Sequence, residues 1–425
     1  MVSVLALNEK NPATDSSDVG KCQFPNDWEI APLGNFYDFQ NGVNADAALY
    51  GSGVPFANVL EIITCSHLVV KHIPGRIRLH RDAIRGFGLR RGDVLFNRTS
   101  ETQGEVGLAA VYLDDSEAVF GGFVLRGRPR NDAFDPLYAG YAFRSAFVRS
   151  QIVSKGQGAV RANIGQSDLR TVLVPRPSAT EQTAIAEVLW DTDVLIESIE
   201  RLVAKKRAIK QGAMQELLRE KPEDEIRPLK EISYMKGRIG WQGLKQSEFT
   251  NNADDPFLIT GMNFKDGEIR WDEVYHIPIG RYEIAPDIHL KSEDLLMTKD
   301  GTIGKVLYVD EIPYPYQASL NSHLLLLRPI KESYYPKYLY YQFGSKRFKD
   351  FIEISKSGTT FFGLSQSAAG EYQVLLPPLE EQKRIADRLS DMDHEILILE
   401  RKLLKTRQIK QGLMQELLNG NVRLI

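Results

Sequence analysis

Arginine is the residue type whose placement suggests chemistry. Arg76, Arg78, Arg81, Arg85, Arg90, Arg91 and Arg98 fall within about two dozen residues, and Arg126, Arg128, Arg130, Arg144, Arg149 and Arg161 follow. A guanidinium carries a planar fork of donors that matches phosphate oxygens and the guanine edge. This stretch is therefore a candidate polyanion binder, although acidic residues nearly cancel its charge and salt-bridged strands are the structural alternative. Two polar loops further on offer similar contact chemistry: Thr298-Lys299-Asp300-Gly301-Thr302 and Ser357-Gly358-Thr359-Thr360-Phe361-Phe362.

The motifs of catalysis are missing. No GxxxxGK[ST] phosphate loop occurs, because Gly301-Thr302-Ile303-Gly304-Lys305-Val306 spaces its glycines too closely and lacks a hydroxyl after the lysine. Asp254-Asp255-Pro256-Phe257 has one proline where an amino-methyltransferase pocket has two. Pro286-Asp287 is not followed by an acidic-x-lysine nuclease element, and Glu381-Gln382-Lys383 belongs to a repeated helix. The histidines form no HExxH pair, and His67 and His72 read as surface or satisfied core residues. Cys22 and Cys65 have no CxxC spacing and cannot complete a zinc site. Neither a catalytic residue nor a metal site is expected.

Those side chains need a scaffold, and 425 residues exceed one ordinary domain. The formal charge of −3 gives no global signature of a nucleic-acid binder, so local arrangement must carry any such reading. No apolar run approaches the roughly eighteen residues of a membrane span, and the start lacks a basic leader with an apolar core, so a cytoplasmic protein is expected.

The chain repeats itself. Residues 181–218, EQTAIAEVLWDTDVLIESIERLVAKKRAIKQGAMQELL, align without gaps on 381–418, EQKRIADRLSDMDHEILILERKLLKTRQIKQGLMQELL, with about 21 of 38 positions identical. Prolines precede each copy (Pro175 and Pro177; Pro377 and Pro378) and suit entry into a new element. In the second copy Ile385, Leu389, Met392, Ile396, Leu399, Leu403, Leu413 and Leu417 step by four and three, interrupted at Thr406 and Lys410. Ile185, Leu189, Ile196, Ile199, Val203, Ala213 and Leu217 occupy the matching places in the first, with Thr192, Lys206 and Lys210 as interruptions. Two equal heptad seams predict two helices, each roughly 55 to 60 Å long, that pair antiparallel within the chain, with pairing between molecules as the competing reading.

A block of about 150 residues precedes each helix, with the β-branched, aromatic and turn-rich texture of a mixed α/β domain. Weaker echoes continue the repeat: Glu29-Ile30-Ala31-Pro32-Leu33 against Glu225-Ile226-Arg227-Pro228-Leu229, Gly92-Asp93-Val94-Leu95-Phe96 against Glu293-Asp294-Leu295-Leu296-Met297, and Gly165-Gln166-Ser167 against Ser365-Gln366-Ser367. The expected fold is α+β: two related mixed α/β domains separated by two long helices forming an antiparallel coiled coil. Two units on one skeleton with different surfaces suggest two readers of different targets.

This pattern resembles the DNA specificity subunits of Type I restriction-modification systems. The resemblance runs from about Trp28 to Leu418, and the duplicated Pro…EQ…I(A)…L…D…D…I…KQGxMQELL helices carry it. Residues 1–27 have no counterpart in the second half and are expected to form a flexible leader, with contact to a partner subunit as its expected role. The resemblance implies target-recognition domains over 28–176 and 221–377 and spacer helices over 177–220 and 378–425. It also implies that each domain binds half of a bipartite asymmetric sequence in double-stranded DNA while the coiled coil fixes the gap. Two modification (methyltransferase) subunits using S-adenosylmethionine would flank the chain, and two restriction (endonuclease/translocase) subunits using ATP and Mg would complete the complex; no cofactor is expected on this chain. By residue, the resemblance places Asn97, Arg98, Thr99, Ser100 and Gln103, with Gln157, Arg161 and Asn163, at the DNA in the first domain. In the second it places Lys299, Asp300, Thr302 and Lys305, with Gly358, Thr359 and Thr360. Arg98 and Arg161 suit guanine or phosphate, and Lys299 and Lys305 suit the backbone; Phe361 and Phe362 are either contacts or core. A coiled-coil assembly protein that does not read sequence is the alternative.

Overall fold

The computed structural model describes residues 24–158, 161–238, 244–265, 268–356 and 363–424. The chain forms two compact units, Met1–Glu200 with Arg401–Ile425, and Arg201–Glu400.

In the first unit, Glu29–Pro32 pairs antiparallel with Leu173–Arg176, so the start and end of the α/β block are clasped together before the long helix begins. Between them lies a five-stranded sheet in the order Tyr37–Asn41, Val124–Pro129, Val94–Asn97, Ala109–Tyr112 and His67–Leu68, antiparallel except for its last pair. Alternate side chains of its central strands enter two different cores. Val94, Phe96, Val111 and Leu125 pack with Tyr138, Phe143 and Ile152 on one face. Leu95, Ala110, Tyr112 and Val124 pack with Ile62, Leu68 and Phe120 on the other. Burial on both faces explains why these strands read as continuous apolar runs. The helix Pro136–Ala142 starts where Asp135 Oδ1 accepts from Tyr138 N (3.0 Å) and proline fills its first turn.

The second unit repeats this plan. Glu225–Pro228 pairs with Gln373–Leu376, and a four-stranded antiparallel sheet runs Ser233–Lys236, Leu324–Pro329, Leu295–Thr298, Val306–Tyr308. Leu295, Met297, Leu325 and Leu327 pack towards one core; Leu296, Leu307, Leu324 and Leu326 pack towards the other. The helices Pro336–Phe343 and Lys346–Lys356 stand where Pro136–Ala142 and Ala146–Lys155 stand in the first unit.

The long helices span Ala179–Leu217 and Leu379–Leu418. Inside the first unit, the start of one meets the end of the other through Lys410–Asp193 (2.6 Å) and Arg407–Glu200 (2.6 Å). Inside the second, Lys206–Glu395 (2.6 Å) and Arg207–Glu400 (2.5 Å) tie the complementary halves. The two helices thus pack antiparallel in each unit. Ile185, Leu189, Ile199, Val203, Ile385, Leu389, Ile396 and Leu417 are buried, while Ile196, Leu217, Met392, Leu399, Leu403 and Leu413 are half-buried. The threonine interruptions are satisfied locally, because the Thr192 and Thr406 hydroxyls donate to the carbonyls of Val188 and Lys402 (2.8 Å each), whereas the lysine interruptions Lys206, Lys210 and Lys410 pair with acidic residues of the other helix.

The repeated Glu-Gln at the head of each helix has a structural purpose. Gln182 Oε1 accepts from Asp135 N (2.8 Å) and its Nε2 donates to the Pro177 carbonyl (3.1 Å); Gln382 does the same with Tyr335 N (2.9 Å) and the Pro377 carbonyl (2.8 Å). One amide therefore holds both the helix entry and the neighbouring helix of the α/β block.

Candidate nucleic-acid interface

In each unit the central strand runs out of the sheet into a loop that two neighbouring backbones catch. Arg98 N donates to the Phe123 carbonyl (2.9 Å), and the Arg98 carbonyl accepts from Ile164 N (3.0 Å). Lys299 N donates to the His323 carbonyl (2.9 Å), and the Lys299 carbonyl accepts from Leu364 N (2.6 Å). Arg98 and Lys299 occupy one place in a shared frame. Each loop then closes on a glycine, Gly107 N donating to the Asn97 carbonyl (2.7 Å) and Gly304 N to the Thr298 carbonyl (2.9 Å). These glycines have φ of 64° and 77°, and a Cβ would lie 2.3 Å from Ile152 or 2.9 Å from Ile352. No other residue fits there without movement.

The first-unit candidates divide by direction. Asn97 and Ser100 are buried: Asn97 Nδ2 donates to the Glu105 carbonyl (3.0 Å) and Ser100 Oγ to Glu105 Oε2 (2.9 Å). Both face inward and shape the loop, so neither is presented to a ligand. Thr99–Ser100 pairs with Ala162–Asn163, and Thr99 Oγ1 donates to Asn163 Oδ1 (2.6 Å), which joins two loops sixty residues apart in sequence. Gln103, Gln157, Arg161 and Asn163 are exposed on this joined surface, with Arg161 3.6 Å from Glu101. Arg98 is half-buried beside them, its Nη1 donating to the Gly122 carbonyl (3.4 Å).

In the second unit Thr302 and Lys305 are exposed, but Lys305 Nζ is bonded to the Phe264 carbonyl and acts as a strut. Lys299 is half-buried, and desolvation holds its ammonium pKa below the usual lysine value. Asp300 Oδ2 lies 2.5 Å from His323 Nδ1. Gly358, Thr359, Thr360, Phe361 and Phe362 lie outside the described residues, as do residues 1–23 of the leader and 159–160.

The arginine cluster also separates. Arg128 grips buried Asp93 with two bonds (2.9 and 2.7 Å), as Arg328 grips buried Asp294 (2.7 Å each). Arg130 pairs with Asp38 (2.7 Å); Arg126, Arg144 and Arg149 donate to the carbonyls of Gly88 (3.0 Å), Ala109 (2.6 Å) and Gly104 (2.8 Å). These arginines hold strands and loops together. Arg78, Arg81, Arg85, Arg90 and Arg91 are exposed. Arg78 and Arg91 donate to the carbonyls of Ala48 (3.4 Å) and Leu113, and Arg85 lies 3.9 Å from Asp82, but their solvent-facing charge leaves them able to meet phosphate. His67 is a satisfied core residue: Nε2 donates to the Leu137 carbonyl (2.8 Å), Nδ1 accepts from Ser66 (3.0 Å), and burial pushes its pKa down.

A groove of about 840 Å³ opens beside Arg98, lined by Asn44, Tyr50, Leu60, Gly75, Arg76, Gly122 and Phe123 among others. Leu60 and Phe123 are 64% and 57% exposed at its rim. Unpaired apolar side chains around a concave, arginine-edged surface are a binding feature.

A second repeated constellation docks each α/β block on the helices. Tyr141 OH donates to Asp193 Oδ2 (2.7 Å) with Lys410 Nζ 5.6 Å from the tyrosine ring centroid; Tyr341 OH donates to Asp393 Oδ2 (2.9 Å) with Lys210 Nζ 5.4 Å from its ring. Tyr141 and Tyr341 escaped the sequence reading, although their spacing of 200 is that of the helices.

Paired α/β units built on one frame, each docked on part of a repeated helix and displaying different side chains at matching loops, define a modular recognition protein. Among the described residues no group of three or more His, Cys, Asp or Glu side chains could hold a metal, and no helix is long and apolar enough to cross a membrane. Residues 225–407 match the family model of the Type I restriction modification DNA specificity domain. The type I restriction enzyme MjaVIII specificity subunit of Methanocaldococcus jannaschii is 25% identical over 429 residues, covering 94% of each chain. A second subunit from that organism, MjaX, provisionally assigned to the same class, is 25% identical over 420 residues, covering 94% of this chain and 95% of its own. The crystal structure of a Type-I restriction-modification S subunit from M. genitalium shares the fold, with a TM-score of 0.59 at 17% identity over 93% of this chain and 97% of the other. Over nearly its whole length the chain is similar to the DNA specificity subunits of type I restriction-modification systems, and it shares their fold.

Proposed function

We propose that this chain recognises a bipartite, asymmetric sequence in double-stranded DNA, each α/β unit reading one half-site and the paired helices setting the unread gap. The observation that carries the reading is the matched frame at Arg98 and Lys299: one backbone arrangement occurs twice with different side chains. A duplicated reader with altered contacts yields two different half-sites, hence an asymmetric target. Exposed Arg78, Arg81, Arg85, Arg90, Arg91 and Arg161 supply phosphate contacts to the first half. The recognition domains run over 28–176 and 221–377, with spacer helices over 177–220 and 378–425.

The chain delivers chemistry rather than performing it. Two modification subunits carrying S-adenosylmethionine methylate the target, and two restriction subunits using ATP and Mg cleave DNA in the full complex, all in the cytoplasm. Leu195, Leu202, Ile209, Ile398, Leu404 and Ile409 remain exposed on the long helices, and apolar side chains left in water there suit subunit docking. Residues 1–27 are a leader that contacts a partner.

Co-expression with the modification subunit, followed by single-molecule mapping of methylated adenines, tests this. One split motif with a fixed gap is expected. A stable complex with S-adenosylmethionine bound and no sequence preference would leave only the assembly role.

A further inference from the structure

If each unit meets one half-site, the side chains that differ at a common place in the frame decide which base is read. Residues 123 and 323 mark such a place. Each follows a short strand, Val119–Phe120 or Ala318–Leu320, that pairs parallel to its neighbour through Phe56↔Val119 or Phe257↔Ala318. Each then lends its carbonyl to the loop residue, Arg98 or Lys299, that the family resemblance places at DNA. The side chains could hardly differ more. Phe123 projects at the rim of the apolar groove beside Tyr50 and Leu60. His323 is bonded through Nδ1 to Asp300, with 59% of its side chain exposed and no partner for Nε2 among the described residues.

We propose that Phe123 and His323 are specificity-determining residues, one for each half-site, an inference that rests on the two-reader function above. A phenyl ring and a leucine at a groove rim select an apolar group, and the thymine methyl is the apolar group that DNA presents in its major groove. Arg98, held against the Gly122 carbonyl next door, addresses the adjacent guanine edge or phosphate. In the second unit Asp300 Oδ2 accepts a hydrogen bond from Nδ1–H of His323, and in that Nδ1–H tautomer the exposed Nε2 is the ring's acceptor. An acceptor at that place selects a base that offers an exocyclic amine, adenine or cytosine. The same backbone therefore reads a methyl in one unit and an amine in the other.

The test is the methylation motif of the co-expressed complex carrying Phe123→Ala or His323→Ala. Phe123→Ala relaxes one thymine-bearing position of the first half-site, and His323→Ala one amine-bearing position of the second; discrimination at that position falls roughly tenfold to a hundredfold. The other half-site and the gap stay fixed. His323→Gln, which keeps an acceptor, retains the preference for an amine, and Phe123→Leu retains that for the methyl; these also serve if an alanine variant fails to co-purify. An unchanged motif in both alanine variants overturns the proposal, as does a uniform loss of methylation with base preference intact, because that marks a phosphate or packing role. Absence of any motif for the unaltered chain would instead sink the two-reader function, and this inference with it.

Discussion

The two units solve one folding problem with the same devices and then diverge where they meet solvent. Arg128–Asp93 and Arg328–Asp294, Gly107 and Gly304, Gln182 and Gln382, and the Tyr141–Asp193–Lys410 and Tyr341–Asp393–Lys210 groupings match in partner and geometry. The loops do not match. The first unit spans Asn97 to Gly107 and pins its longer loop to a second through Thr99 and Asn163, whereas the second spans only Thr298 to Gly304 and braces it with Lys305 on Phe264. Inward-facing polar groups preserve the frame, so the outward ones are free to change target without altering the fold.

If the shared devices are equivalent, breaking the same one in either unit should destabilise that unit to a similar degree. The largest effect belongs to Asp93→Ala and Asp294→Ala, which leave a partly buried guanidinium unpaired; each should cost about 3 kcal/mol or more by chemical denaturation, read through proteolysis of the affected unit. A loss confined to one of them would show that the match is only geometric. Next, Gly107→Ala and Gly304→Ala place a side chain at positive φ against an isoleucine, and each should cost about 1–3 kcal/mol. Gly301→Ala, at φ 63° with open space around it, should be milder.

Acid should separate the units rather than match them. The folded-state pKa of His67 lies below its ordinary value because of burial, so its contribution to the first unit is full above about pH 6.5 and falls as pH drops. Asp294 has the opposite sign: burial raises its carboxyl, so its contribution is full below the ordinary aspartate value and declines as pH rises. Melting followed from pH 7.5 to 5 should show the first unit weakening, and His67→Phe should flatten that slope. The smallest effect is on binding. Arg161→Ala removes one exposed cation and should lower the salt dependence of DNA affinity by about one unit of slope, with the second half-site untouched.

The long helices were legible because a heptad seam is a property of spacing alone; Ile185, Leu189, Ile385 and Leu389 are buried as their period requires. The units' internal likeness was legible in the Glu29 and Glu225 strands and in the central strands after Gly92 and Glu293. The direction of loop side chains was not. Asn97 continues a strand and turns inward because Glu105, eight residues on, supplies its partner, and no local pattern encodes that closure. For Arg126 and Arg128 the sequence left phosphate contact and salt-bridged strands both open, since the acceptors that consume them, Gly88 and Asp93, come from another part of the chain. Phe123 escaped notice because its exposure follows from the Gly121-Gly122 turn, whereas an isolated phenylalanine in sequence reads as core.

The most direct test of two readers on one ruler lengthens the ruler and leaves the readers alone. Seven residues inserted after Glu200 and seven after Glu400 preserve both seams and add about 10 Å, or about three base pairs, to the paired helices. Mapping methylated adenines in cells carrying the modification subunit should then show both half-sites unchanged and the gap longer by about that number. An unchanged gap, or a change in the bases of either half-site, would contradict the account.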